Sequence, residues 1–205
     1  MNLVEILYET LEGIIPYDLI KYDLIFLVGE SAAGKTTTMN ILKGKGFSEK
    51  YTPNPKGKIH NALPIFNKGI NFIRIIDTAG GYLKDLPKWK EKNYTIRCII
   101  FDTTKFYKDK KVKLGIKNTV KEVDAINGEY IDKKFKSLYK IKSFFQKKDK
   151  TVKCVAIGTR GNEVESEVKE KIRNEIHKKL GINCKIFELS NNPKKELIKF
   201  IFQGE

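Results

Sequence analysis

Apolar residues in this chain fall into two kinds of run, and the two kinds alternate. Short runs bounded by polar residues, glycine or proline, at Tyr22–Val28, His60–Phe66, Ile70–Asp77, Thr95–Asp102, Val152–Gly158 and Cys184–Leu189, read as strands. Between them lie stretches with apolar residues every three or four positions, which predict helices from Gly34 to about Leu42, from about Asn162 to Leu180, and over Pro193–Phe202. Gly44 and Gly46 close the first helix. Phe47–Lys58, with Pro53, Pro55 and Gly57, reads as a loop. The runs flanking Asn67-Lys68-Gly69 carry a β-hairpin signal, and Thr78–Asn93 is a loop and polar stretch. Strands alternating with helices predict an α/β fold of three layers. Its expected form is a mainly parallel six-stranded sheet with one antiparallel edge hairpin, helices on both faces, and ligand at the carboxyl ends of the strands.

Two segments lie outside that alternation. Residues 2–13 place Leu3, Ile6, Leu7, Tyr8 and Leu11 at helical spacing before Gly13 and Pro16, so an amphipathic helix forms an appendage over residues 1–20. Its polar face carries Glu5, Glu9 and Glu12, which argues against an anionic membrane. Residues 103–150 form a lysine-rich helical insertion with an apolar stripe from Val112 to Phe145, divided at Gly128. That stripe either packs on the sheet or docks a partner.

At 205 residues, 40% hydrophobic and 32% charged, the chain reads as one globular domain over 1–205. It has neither an 18-residue apolar run nor a signal-peptide pattern, so the expected location is the cytoplasm. Cys98, Cys154 and Cys184 lie in apolar β-like runs and read as small buried hydrophobes. His60 and His177 are the only histidines, so spacing builds no zinc site. The net charge of +15 raises the question of nucleic acid, but only Arg74, Arg97, Arg160 and Arg173 are arginines and the lysines are scattered. They read as solvated helix faces. The expected partner is a protein effector or regulator, with a homodimer as an open possibility.

Candidate chemistry begins directly after the first strand. Gly29-Glu30-Ser31-Ala32-Ala33-Gly34-Lys35-Thr36 is a complete G-x-x-x-x-G-K-[ST] phosphate-binding loop between a buried strand and a helix. Its glycines permit a tight turn that aims successive backbone N–H groups, and the start of the helix, at nucleotide phosphates. Lys35 supplies a cation to the β- and γ-phosphates, and Thr36 offers a hydroxyl to magnesium, with Thr37 beside it. A second motif, Arg74-Ile75-Ile76-Asp77-Thr78-Ala79-Gly80, ends a strand with an aspartate and places glycine three residues on. Asp77 suits magnesium there, and the Gly80 N–H suits the γ-phosphate.

GESAAGKTT followed by IIDTAG resembles the Ras-like or Arf-like small GTPases, from Tyr22 to the C-terminus. The resemblance implies a P-loop NTPase fold, GTP and GDP as ligands with Mg2+, and a switch threonine in the loop after the first helix. Thr52, 17 residues past Lys35, is the candidate for that magnesium ligand. It also implies a base-recognition motif at the end of the fifth strand, where this chain has Thr159-Arg160-Gly161-Asn162, and a Ser-Ala-like turn at Ser190-Asn191. Asn162 stands where the family carries aspartate. An amide has one acceptor oxygen and sets its NH₂ against a guanine donor, at a cost on the order of 1–3 kcal/mol, with Glu163 the nearest substitute carboxylate. The family's water-orienting glutamine is also absent, because Gly81 and Tyr82 follow Gly80. The expectation is a magnesium-dependent nucleotide switch with slow or partner-dependent hydrolysis, in which Lys35, Thr52 and Gly80 serve catalysis. Two alternatives stand beside it, a nucleotide-binding scaffold subunit with little hydrolysis and a P-loop small-molecule kinase.

Overall fold

Successive side chains on a strand face opposite ways, and in this protein both faces of the sheet are apolar. The computed structural model describes residues 24–48, 58–66, 70–77, 95–106, 133, 135, 136, 138–140, 142 and 153–204. The strands are β1 (Leu24–Gly29), β2 (Lys58–Phe66), β3 (Ile70–Asp77), β4 (Thr95–Asp102), β5 (Lys153–Thr159) and β6 (Asn183–Ile186). The helices are α1 (Lys35–Leu42), α2 (Ser166–Leu180) and α3 (Lys194–Gln203). Five strands in the order β3-β1-β4-β5-β6 run parallel, with Gly29 opposite Ile100 and Asp102 opposite Thr159. β2 lies antiparallel beside β3, with a register irregularity between Asn61 and Leu63.

The alternation sorts the core in two. Ile25, Leu27, Ile75, Cys98, Ile100 and Ile157 pack with Ile41 and Leu42 of α1 and with Leu197, Phe200 and Ile201 of α3. Phe26, Val28, Ile99, Phe101 and Ala156 pack with Val168, Ile172, Ile176 and Leu180, a strict four-residue stripe along α2. Phe135 and Leu138, helical residues of the lysine-rich insertion, join that second core. Helices therefore cover both faces, as the two kinds of apolar run predict. The stripe of the insertion packs on the sheet at these two residues.

Local signals explain where the elements stop. Gly181 and Gly204 are left-handed at φ 60° and 85°, and their N–H groups return to His177 and Phe200 carbonyls, closing α2 and α3. Lys142 Nζ donates to the Leu180 carbonyl and Lys153 Nζ to the Phe202 carbonyl, so two lysines cap the negative ends of these helices. Some boundaries differ from the sequence expectation. Residues 161–163 form a separate 3₁₀ turn, and α2 begins only at Ser166. The last strand ends at Ile186 and Leu189–Asn191 is a 3₁₀ turn, with Phe187 between them still bonded to the Gly158 carbonyl. β2 begins at Lys58, at the end of the loop expected over Phe47–Lys58. The appendage over 1–20, the loop containing Thr52, residues 78–94 and insertion residues 107–132 lie outside the described residues. Among the described residues no helix is long and apolar enough to cross a membrane.

Candidate nucleotide site

The loop predicted to hold phosphate leaves the carboxyl end of β1 at a place where only glycine fits. A Cβ on Gly29 would lie 2.0 Å from the Ile100 carbonyl oxygen of the neighbouring strand. The chain then turns through Ala32 at φ 59° and Gly34 at φ 91° before α1 begins. A non-glycine residue in the left-handed region costs about 1–3 kcal/mol, so the turn at Ala32 is strained. Thr159, at the end of β5, fastens the loop from behind. Its hydroxyl lies 3.1 Å from the Ala33 carbonyl and 3.2 Å from the Phe101 carbonyl, and its methyl would meet any Cβ on Gly34 at 2.9 Å. Thr38, in the first turns of α1, returns its hydroxyl to the Gly34 carbonyl at 2.9 Å.

Lys35 is buried inside this turn. Nζ donates to the Gly29 carbonyl at 3.1 Å and to the Glu30 carbonyl at 2.7 Å. An ammonium has three donors, so the loop orients the group without exhausting it. Burial lowers its pKa below the ordinary 10.5, the Asp77 and Glu30 carboxylates oppose that shift, and the charge of Lys105 adds to it. Ser31 and Ala32 are exposed at the rim, while Ala33 is buried beneath.

Thr36 and Asp77 meet at the opposite side of the loop. The Thr36 hydroxyl donates to Asp77 Oδ2 at 2.6 Å, and Asp77 is buried at the end of β3, opposite Leu27. A hydroxyl and a carboxylate are the hard oxygen donors that magnesium takes, usually alongside water and substrate phosphate. The donor set therefore fits that ion. Among the described residues no group of three or more His, Cys, Asp or Glu converges, so phosphate and water would complete the coordination. Thr37 follows, half-buried in α1.

The residues assigned to the base lie along the same edge of the sheet. Thr159 is buried and spent on the phosphate loop, whereas Arg160 is left-handed at φ 57° and half exposed. Arg160 Nε lies 3.6 Å from Asp102 Oδ2 and Nη1 lies 3.8 Å from Glu163 Oε2. Asn162 is exposed between them on its 3₁₀ turn. The turn is held to the next strand crossing, because the Gly161 N–H donates to the Phe187 carbonyl at 3.0 Å and the Phe187 N–H to the Gly158 carbonyl at 2.8 Å. Ser190 and Asn191 are exposed on the adjacent turn, with the Ser190 hydroxyl 3.2 Å from Glu188 Oε1. Ala32, Arg160 and Asn192 are the left-handed non-glycine residues among those described, and all three lie on the loops of this edge. Strain gathered there is what a preorganised ligand site stores.

Four residues of this region escape sequence reasoning. Asp102 ends β4 as Asp77 ends β3, and its carboxylate accepts from the Thr104 N–H at 3.0 Å and hydroxyl at 2.6 Å. A second strand-terminal aspartate was the available signal. Asn192 accepts from the Phe47 N–H at 2.5 Å, which brings an exposed aromatic ring to the turn carrying Ser190 and Asn191. Lys105 pairs with Glu30 at 3.5 Å. Asn192, Phe47 and Lys105 had no sequence signal, since contacts over 145 and 75 residues depend on chain crossings. Thr52 and Gly80 lie outside the described residues.

No protein-family model matches this chain, and no curated protein sequence is significantly similar to it.

Proposed function

We propose that this protein is a magnesium-dependent guanine-nucleotide switch of the small-GTPase kind, with slow or partner-dependent hydrolysis. The observation that carries the reading is the juxtaposition, at one turn, of an oriented Lys35 ammonium with the Thr36–Asp77 oxygen pair. A cation and a magnesium-type oxygen set on a glycine turn suit the β- and γ-phosphates of a nucleotide. The fold proposed with it is the three-layer P-loop NTPase fold, in which β2 and β3 form the antiparallel edge hairpin of a six-stranded sheet.

In this reading Thr36 and Asp77, with Thr52 from the following loop, hold Mg2+, which when bound neutralises phosphate charge. The backbone of residues 29–37 receives the phosphates, and Lys35 draws charge from the bridging region. The Gly80 N–H addresses the terminal phosphate. Arg160 lays its aliphatic stem along the base, Asn162 meets the base edge, and Ser190 and Asn191 close the pocket. Neither Gly81 nor Tyr82 positions water as the family's glutamine does, so turnover is slow without a partner. An effector or regulator reads the loops around Thr52 and Gly80, or the surface of residues 103–150, and the protein works in the cytoplasm.

The missing glutamine equally favours a second reading, a nucleotide-binding scaffold that hardly hydrolyses its ligand. Calorimetric titration with GDP, a non-hydrolysable GTP analogue and an ATP analogue, with and without Mg2+, tests the proposal on wild type and Lys35→Ala. Guanine-nucleotide binding that needs Mg2+ and is lost in the variant is the expected result. Absence of binding to wild type overturns it, and single-turnover hydrolysis separates switch from scaffold.

A further inference from the structure

Glu30, the second residue of the phosphate loop, brings a carboxylate to a place suited to anions. Its backbone is committed, since the carbonyl accepts from Lys35. The side chain remains at the rim, and an uncompensated charge there would oppose an incoming phosphate. A compensating cation is Lys105, whose Nζ lies 3.5 Å from Glu30 Oε2.

Lys105 is held in place from both sides. It belongs to the 3₁₀ turn Thr103–Phe106 after β4. Asp102 anchors the start of that turn through Thr104, and buried Phe106 anchors its end, edge-on to Phe101 at 5.2 Å and to Phe135 at 5.5 Å between ring centroids. Asp77, bonded to Thr36, is a second carboxylate acting on Lys35. Lys35, Glu30 and Asp77 together carry one net negative charge. Lys105 brings the group to neutrality.

We propose that Lys105 is a positioning residue for phosphate binding, which neutralises Glu30 and holds its carboxylate at the rim so that the site presents no net negative charge to its ligand. The proposal rests on the phosphate-loop reading above, and it names the pair that makes an acidic loop competent. At 38% and 40% side-chain exposure the pair adds little to folding, so its effect falls on the ligand.

The test is a double-mutant cycle on the full chain, reading the dissociation constants of magnesium pyrophosphate and Mg-GDP by calorimetry in 50 mM and 500 mM KCl. Lys105→Ala should weaken both ligands about tenfold at low salt and by much less at high salt, where charges beyond about 4 Å are screened. Glu30→Gln should bind more tightly than wild type. Glu30→Gln with Lys105→Ala should return to within about threefold of wild type, which a purely structural lysine would not do. Unchanged affinity in Lys105→Ala, or a double variant as weak as Lys105→Ala, overturns the proposal while the phosphate site stands. Wild type that binds neither ligand overturns the phosphate-site reading, and this inference with it.

Discussion

The hydroxyl of Thr36 donates to the Asp77 carboxylate at 2.6 Å, joining the first turn of α1 to the end of β3 across 41 residues of sequence. Two motifs that are separate in the chain become one oxygen pair. If that pair holds magnesium, Thr36→Ala and Asp77→Asn should each abolish most of the Mg2+-dependent gain in nucleotide affinity, at least tenfold, while Thr36→Ser keeps it. Removing a charge-assisted hydrogen bond should also cost about 1.5–3 kcal/mol of stability. Titration of nucleotide at fixed and zero Mg2+, with urea unfolding of the same variants, checks both effects.

Gly29 is a steric requirement. Gly29→Ala would set a Cβ 2.0 Å from the Ile100 carbonyl, and backbone in a paired strand cannot step aside. A loss of about 3 kcal/mol or more is expected in urea unfolding. Gly34→Ala meets the Thr159 methyl at 2.9 Å with φ at 91°, and should weaken nucleotide binding more than it lowers stability. A Gly29→Ala variant as stable as wild type would show that β1 and β4 are spaced differently.

If residue 162 meets a guanine edge, Asn162 offers an amide where a carboxylate would accept both donors, and the neighbouring acids have other partners. Glu163 faces Arg160 at 3.8 Å, and Glu188 takes the Ser190 hydroxyl at 3.2 Å. Asn162→Asp should therefore raise GDP affinity about tenfold or more, in line with about 1–3 kcal/mol for a restored charged acceptor. GDP affinity that stays level in the variant, measured beside IDP, would remove residue 162 from the base edge.

The cysteines predict how stability depends on pH. Burial pushes the thiol of Cys154 from 9.0 up to about 11 and that of Cys184 up to about 12, and raises Cys98 as well. The unfolded chain loses these protons near pH 9 while the folded chain keeps them. Their contribution is therefore complete below pH 9 and is lost as pH climbs toward the folded values, at about 1.4 kcal/mol per pH unit for each thiol. Lys35 and Lys153 act in the opposite sense, because burial lowers their folded pKa values and the unfolded chain holds the extra protons below 10.5. Three thiols outweigh two amines, so urea midpoints should fall between pH 8 and pH 10. A flat or rising midpoint would count against the burial of these side chains.

Much of the fold was legible because its signals are local. Apolar runs in β4 and β5 mark strands buried on both faces, and the four-residue stripe Val168, Ile172, Ile176, Leu180 marks a helix on one of them. The 3₁₀ turns at 161–163 and 189–191 were hidden, since three-residue turns carry no period and form where the chain crosses the sheet edge.

The sequence by itself determined the alternation of strands and helices, the glycine turn with Lys35 and Thr36, and Asp77 at a strand end. Each of these follows from spacing within a dozen residues. Tertiary structure alone decided that Thr36 meets Asp77, that the Thr159 hydroxyl meets the Ala33 carbonyl, that Arg160 lies between Asp102 and Glu163, and that Lys105 lies beside Glu30. The physical reason is parallel pairing. A parallel sheet brings together the carboxyl ends of strands that are far apart in sequence, so contacts at that edge depend on strand order and register, which no local pattern encodes.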